Sequence, residues 1–299
     1  MALLIITTIL WAFSFSLIGE YLAGSVDSYF SVLMRVGLAA LVFLPFLRTR
    51  GQSPRTIVLY MLVGAMQLGI MYLLAFRAYL YLTVSEFLLF TVFTPLYITL
   101  IYDLLSGRKL RWGYLLSAVL AVLGAAIIRY DKVSDHFWTG LLLVQLSNLC
   151  FAIGMVGYKR LMEVRPMPQH NAFAWFYVGA FIVAVAAWFM LGNSQKLPTT
   201  TLQWSVLVWL GVVASGLGYF MWNYGATQVD AGTLGIMNNV HVPAGLLVNL
   251  AIWQEQPHWP SFISGALVIL ASLWVHRRWV APHSGQTAGD RRRGSAQSE

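Results

Sequence analysis

The amino-acid sequence predicts an all-α membrane protein in which ten transmembrane helices form two inverted five-helix repeats. Three observations predict it: a composition that only lipid can solvate, apolar runs of membrane-spanning length, and a register in which the two halves repeat each other. Hydrophobic residues make up 59% of the 299 residues and charged residues only 10%, where a soluble chain carries about a quarter. Mean hydropathy is +0.69. The apolar residues fall in runs of roughly 17 to 22, the length a helix needs to cross about 30 Å of hydrocarbon. Twelve Trp and fourteen Tyr suit amphipathic rings at the membrane interface.

The first half places spans near Ala2–Ile18, Phe30–Leu47, Ile57–Phe76, Ser85–Tyr102 and Gly113–Ile128. The second half places them near Trp138–Gly157, Ala172–Leu191, Leu207–Asn223, Leu234–Trp253 and Phe262–Val275. The repeats therefore run over residues 1–132 and 133–280, followed by a polar, Gly/Ser/Arg-rich tail at 281–299 that reads as disordered and cytoplasmic. Met1 to Ile18 lacks the charged leader of a signal peptide and exceeds the usual apolar length of one, so it reads as the first span. The short linkers leave no room for a soluble catalytic domain.

Lys and Arg fix the orientation. With a cytoplasmic N-terminus, one side receives Arg48, Arg50, Arg55, Arg108, Lys109, Arg111, Lys159, Arg160, Arg165, Arg277, Arg278 and Arg291 to Arg293. The other receives only Arg77, Arg129, Lys132 and Lys196. This positive-inside bias places both termini in the cytoplasm of a bacterial-type inner membrane. It also gives the net charge of +8 a topological meaning and removes the need for nucleic acid.

The halves match at a shift of 147 residues, which brings Gly64, Gly69 and Tyr72 onto Gly211, Gly216 and Tyr219. Trp112, Ser117, Leu120 and Leu123 meet Trp259, Ser264, Leu267 and Leu270 at the same shift, and Pro95 meets Pro243 at one residue more. An odd number of spans per half inverts one repeat relative to the other. Inverted repeats with a midplane site between them are a recurring transporter plan.

A polar group in hydrocarbon costs on the order of 2.5–3.5 kcal/mol when charged, so such residues mark cavities, mutual pairs or headgroup contacts. In the ninth span Asn238, His241, Gly245 and Asn249 share a helical face, beside Pro243, which removes a backbone donor. That face reads as a substrate stripe, or alternatively as polar glue between helices. In the fourth span Glu86, Phe90, Phe93 and Tyr97 share a face that is acidic at one end and aromatic beyond it. Glu86 is a candidate proton-coupling carboxylate, or else an interfacial residue paired with Arg77.

Ser215, Tyr219 and Asn223 align in the eighth span with Trp222 beside them, Gln145 and Asn148 in the sixth, and Thr7, Trp11 and Ser14 in the first. Tyr72 joins the set as the repeat mate of Tyr219. Arg35 is either a snorkelling interfacial residue or a cation for an anionic substrate group. Together Trp11, Arg35, Tyr72, Glu86, Phe90, Tyr97, Asn148, Tyr219, Trp222, Asn223, Asn238 and His241 form the candidate substrate-binding set.

Several chemistries are excluded. The chain has no phosphate-binding G-x-x-x-x-G-K-[ST] loop, no H-E-x-x-H, no G-x-S-x-G and a single cysteine, Cys150. No catalytic residue, metal site, cofactor or disulfide is expected, and transport without a nucleotide site must be gradient-driven or facilitated.

These features resemble one family. Arg35-Val-Gly-Leu-Ala-Ala-Leu in the second span, Pro95-Leu-Tyr and its counterpart Pro243-Ala-Gly are similar to the ten-helix EamA-like members of the drug/metabolite transporter superfamily. A Glu often follows the Pro-containing helix in each half there. Glu255 fits in the second half, whereas the first half has Arg108 in Ser106-Gly107-Arg108-Lys109-Leu110. Residues 7–15, Met237–Pro243 and Trp253–Pro260 resemble the family's bacterial biotin importers more closely. The resemblance implies biotin uptake by one polypeptide without an ATPase subunit. Export of amino acids or other small metabolites is the alternative within the superfamily.

Overall fold

The computed structural model describes residues 2–105, 135–229 and 231–254, with isolated positions at 119–120, 123 and between 259 and 278. Among the described residues every regular element is helical. In hydrocarbon no water satisfies a backbone N–H or C=O, so a helix, whose bonds are internal, is the only single-segment solution.

Among the described residues, seven helices are long and apolar enough to cross a membrane: α1 (Ala2–Tyr21), α2 (Ser28–Phe46), α3 (Pro54–Ala78), α4 (Val84–Leu105), α5 (Asp135–Val164), α6 (Gln169–Leu191) and α7 (Thr201–Thr227). An eighth, α8 (Ala231–Val248), continues into one π turn at Asn249–Trp253. These correspond to spans one to four and six to nine of the sequence reading. The expected spans at Gly113–Ile128 and Phe262–Val275, together with Arg108, Glu255 and the tail, lie outside the described residues or touch them only at isolated positions.

Helix ends are set by caps rather than by the end of apolar sequence. Asp27 accepts the Phe30 N–H at the start of α2 (2.8 Å), and Ser53 followed by Pro54 opens α3. Thr83 with Glu86 and Thr200 with Gln203 form capping boxes at α4 and α7. The helix α5 runs past both expected ends because its polar residues still find partners. Its Lys159 ammonium donates to the Ala226 and Val229 carbonyls (3.2 and 2.9 Å) that close α7.

The outer surface is apolar and the interior carries the polar groups, the reverse of a soluble domain. Phe189 is 82% exposed, while Gln67, Ser215 and Asn223 are fully buried. This is the distribution expected when lipid is the solvent. The helix α6 packs behind α2 and α3, α1 packs along α8, and α5 along α3 and α4. Close approach of α3 and α6 depends on two glycines. A Cβ on Gly64 would sit 1.9 Å from the Phe176 carbonyl oxygen, and one on Gly179 at 1.9 Å from that of Met61.

Two helices widen into π turns, Ala65–Ile70 within α3 and Leu210–Leu217 within α7. A π turn leaves carbonyls without their usual helical donor, and side chains take them up. Trp11 Nε1 donates to the Ala214 carbonyl (2.9 Å), and the Tyr177 hydroxyl to those of Ser215 (2.6 Å) and Gly216 (3.1 Å). A different device breaks α4 at Val92 and Phe93. Pro95 has no N–H for the Thr91 carbonyl, which accepts instead from the Thr94 hydroxyl (2.7 Å). The neighbouring Phe90 carbonyl accepts from Asn148 Nδ2 (2.9 Å) and Gln145 Nε2 (3.3 Å) on α5.

Gln67 and Asn223 exchange both amide bonds across α3 and α7, each at 3.0 Å. Removing one partner strands the other in an apolar interior at a cost of about 1–3 kcal/mol, whereas removing both is nearly neutral. Gln67→Leu and Asn223→Leu are each expected to lower the melting temperature of the detergent-solubilised protein. The double variant should recover most of the loss, and simple additivity of the two losses would refute the pairing.

Candidate functional site

Seven of the eight helices converge on one cavity, with α6 standing behind them. It is walled by Trp11, Ser14, Phe15 and Ile18 of α1, Arg35 of α2, and Met71, Tyr72, Ala75 and Phe76 of α3. Tyr79 of the following connection, Phe87, Thr91 and Thr94 of α4, and Ser147, Asn148 and Phe151 of α5 continue the wall. Tyr219 of α7 and Asn238 of α8 complete it, and the walls leave about 650 Å³ of atom-free space including the open mouth. Its character is that of a small-molecule site: aromatic walls with few polar groups.

The dominant charge is Arg35. It is 3% exposed, in mid-helix, so snorkelling to the interface is ruled out. Its Nε donates to Ser215 Oγ, and its guanidinium lies over the Tyr72 ring at 4.1 Å and farther over Phe76 at 6.0 Å. Ser215 Oγ is also 2.9 Å from the Tyr72 hydroxyl, so α2, α3 and α7 fix the cation between them. The two Nη groups have no hydrogen bond or ion pair among the described residues. The cation–π contact offsets part of the desolvation cost, on the order of 2 kcal/mol. A buried cation on a cavity wall with no carboxylate partner among the described residues is costly to hold.

Two further polar groups face the same problem. The Asn238 side chain is 1% exposed and its Nδ2 makes no hydrogen bond among the described residues. The Tyr79 hydroxyl is likewise buried and unpartnered. Asn148 spends its Nδ2 on the Phe90 carbonyl and lines the cavity beside Thr91.

The aromatic wall is built around Trp11, whose indole packs against Tyr219 at 4.6 Å and Phe151 at 6.4 Å. Tyr72 meets Tyr219 edge-on at 5.8 Å.

Six sequence candidates are thus brought to the cavity: Trp11, Arg35, Tyr72, Asn148, Tyr219 and Asn238. The others sit elsewhere. Glu86 is buried as the third residue of a capping box, its carboxylate accepting the Thr83 N–H at 2.9 Å, and Arg77 lies over the Tyr29 ring at 5.8 Å. Phe90 is fully buried in the helix core, and Tyr97 donates to Gln145 Oε1 (3.1 Å) away from the cavity. Trp222 stands behind Trp11 at 5.1 Å with its indole N–H on Met155 Sδ, and Asn223 is held by Gln67. The His241 side chain lies outside the described residues. Asn249 bonds Ser16 and Ser85, and Gly245 meets Leu88, so the lower part of that stripe is interhelical contact.

Sequence reasoning missed Phe15, Phe76, Tyr79, Phe87 and Phe151. A signal was present for three of them: Phe15 lies four residues after Trp11, and Phe76 and Tyr79 lie four and seven after Tyr72, on the same helical faces. For α4 the cavity face is Phe87, Thr91 and Thr94, one residue on from the face chosen around Glu86.

Comparison with known proteins agrees with this architecture. A protein of Escherichia coli (strain K12) described as a biotin transporter is 83% identical over 299 residues, the whole of both chains. The biotin transporter of Salmonella typhimurium is 83% identical over the same span. A probable biotin transporter of Pseudomonas aeruginosa is 55% identical over 279 residues, 93% of this chain and 97% of that one. A solved structure described as "Crystal structure of protein" shares the fold with a TM-score of 0.64 at 17% identity, over 92% of this chain and 95% of that chain. The sequence profile of the EamA-like transporter family matches residues 1–130 and 138–277. The chain is a multi-pass membrane protein that belongs to the EamA-like transporter family.

Proposed function

We propose that this protein is a secondary importer of biotin across the bacterial inner membrane, working by alternating access of two inverted five-helix repeats. The observation that carries the reading is Arg35, a buried guanidinium whose Nη groups have no partner among the described residues, on the wall of an aromatic cavity. Biotin is a carboxylate on an aliphatic tail, joined to a thioether ring and a ureido ring. The cation takes the carboxylate, and Trp11, Tyr72, Phe87, Phe151 and Tyr219 take the tail and the thioether ring. The ureido group, which has both donors and an acceptor, is met by Asn238, whose Nδ2 has no partner among the described residues, and by Asn148. The names of the relatives that match over the full chain support biotin as the substrate.

Ten helices in two repeats, 1–132 and 133–280, are supported by two independent features. The family profile matches two successive stretches, 1–130 and 138–277. The π turn at Ala65–Ile70 falls within that at Leu210–Leu217 when moved by the 147 residues that bring Tyr72 onto Tyr219. Those two tyrosines then meet across the cavity, as repeat mates around a midplane site do. With cytoplasmic termini and tail, as the Lys and Arg bias indicates, the cavity extends from mid-depth toward the outer ends of the helices. Ile18 near the end of α1, Tyr79 just beyond α3 and Phe87 in the first turn of α4 lie at that end, an arrangement that favours loading from outside. In this reading the one polypeptide works without an ATPase subunit.

The test is uptake of radiolabelled biotin into proteoliposomes containing only this protein, with and without a proton gradient. Accumulation or exchange above empty vesicles is the expected result. Failure of purified, folded protein to move biotin under either condition removes the substrate assignment.

A further inference from the structure

We propose that Tyr177 is a positioning residue for the Arg35 site: from outside the cavity its hydroxyl fixes the π turn that carries Ser215, and Ser215 aims the guanidinium. This deepens the biotin reading and rests on it.

Tyr177 lies in the middle of α6, the helix that stands behind the cavity, and it is not one of the wall residues. Its side chain is fully buried, with its ring against Phe43 at 5.2 Å, Phe173 at 5.6 Å and Phe176 at 5.6 Å. The hydroxyl donates to the Ser215 carbonyl at 2.6 Å and reaches the Gly216 carbonyl at 3.1 Å. A phenol has a single proton, so the nearer Ser215 carbonyl takes the larger share.

The same turn is gripped from another helix. Trp11 Nε1 of α1 donates to the Ala214 carbonyl at 2.9 Å, one residue earlier in the chain. Against α2 the fit is close: a Cβ on Gly211 would lie 2.7 Å from Leu38 Cβ and 3.2 Å from the Arg35 carbonyl oxygen. Backbone in a π turn departs from the regular helical ladder, and side chains from outside can then decide where it sits. Here the carbonyls of Ala214, Ser215 and Gly216 are tied to α1 and α6. Residue 215 cannot shift without stretching one of those bonds.

That stiffness is used at the Ser215 side chain. Its Oγ accepts from Arg35 Nε and stands 2.9 Å from the Tyr72 hydroxyl, while the Tyr72 ring lies 4.1 Å from the guanidinium. One hydroxyl thus sets both the bond to the Arg35 fork and the ring that the fork lies over. Moving it swings the two Nη groups, the part of the fork available to an anion. Arginine is long and rich in rotamers, and it binds tightly only where one rotamer is held in advance. The connection from Tyr177 through Ser215 to Arg35 supplies that hold across three helices.

The experiment is a double-mutant cycle of Tyr177→Phe and Ser215→Ala. It is read by the concentration dependence of labelled biotin uptake into proteoliposomes and by melting of the purified protein in detergent. Tyr177→Phe keeps the ring and its aromatic neighbours and removes only the hydroxyl. Alone it is expected to raise the half-saturating biotin concentration about fivefold, as loss of one buried hydrogen bond does, with the maximal rate within twofold of wild type. In the Ser215→Ala background Arg35 has already lost its bond to the turn, so the same change should move half-saturation less than twofold. Melting behaves differently. The hydroxyl bonds backbone carbonyls that Ser215→Ala leaves in place, so Tyr177→Phe should lower the melting temperature equally in both backgrounds. Additive losses of biotin affinity overturn the positioning role, as does a lowered melting temperature with unchanged half-saturation or a loss confined to the maximal rate. Failure of Tyr177→Phe to fold assigns the hydroxyl to the fold and overturns it too. In all of these cases biotin uptake by wild type stands. Its absence removes the transport reading itself, and the role of Tyr177 with it.

Discussion

Arg35→Gln is expected to lower biotin uptake by about a hundredfold while leaving the protein in the membrane at near wild-type levels. Both halves of that expectation follow from the same asymmetry. The guanidinium makes one hydrogen bond through Nε and stacks on Tyr72, but its charge has no counterion among the described residues. The empty protein bears the desolvation of that charge, and its removal relieves the interior rather than harming it. The loaded protein gains a buried ion pair, and breaking such a pair costs about 3–5 kcal/mol, or two decades or more in affinity. Gln keeps a polar head near Ser215, which separates loss of charge from loss of shape. Arg35→Lys keeps the charge without the planar fork and should fall between the two. Uptake by Arg35→Gln within threefold of wild type, at equal protein level, would show that the anion is bound elsewhere.

A second large effect concerns the fold. Gly179→Val is expected to abolish accumulation of folded protein, and Gly179→Ala to lower its melting temperature in detergent by many degrees. A Cβ at this position would stand 1.9 Å from the Met61 carbonyl oxygen, and the reciprocal position, Gly64, meets the Phe176 carbonyl at the same distance. Both obstacles are backbone on long helices, so no side chain can swing aside. The helices α3 and α6 must separate, and overpacking of this kind costs about 1–3 kcal/mol or more. Separation also propagates. The helix α6 holds the π turn of α7 through Tyr177, and that turn carries Ser215, the partner of Arg35. Biotin affinity of any surviving Gly179→Ala protein should therefore fall as well. A variant with wild-type melting and transport would mean that the crossing is looser than this geometry.

Residues of the site differ in how far the sequence exposed them. Arg35, Asn148 and Asn238 stand out because a polar group inside an apolar run needs a reason, and the membrane makes that reason costly to ignore. Trp11, Tyr72 and Tyr219 followed from helical faces and from the internal repeat. Phe87 and Phe151 were invisible, because an aromatic residue in a lipid-solvated chain is ordinary whether it faces lipid, core or ligand. Glu86 illustrates a buried carboxylate with a structural use: three residues after Thr83, it belongs to a capping box. Asn223 and Gln67 show why polarity alone does not mark a site. Each is a conspicuous amide, and each has its needs met by the other.

What the sequence determined by itself was the solvent and its consequences. Length of apolar runs, scarcity of charge and the distribution of Lys and Arg are local or additive quantities, and the bilayer reads them span by span without reference to tertiary contacts. Only the tertiary structure decided which polar groups remained unpaired, because satisfaction is a relation between helices far apart in the chain. Ser215 reaches Arg35 across 180 residues, and Asn223 reaches Gln67 across 156. No periodicity within one helix encodes the partner on another, so the free Nη groups of Arg35, the Tyr79 hydroxyl and the Asn238 amide emerged only when the helices were packed together.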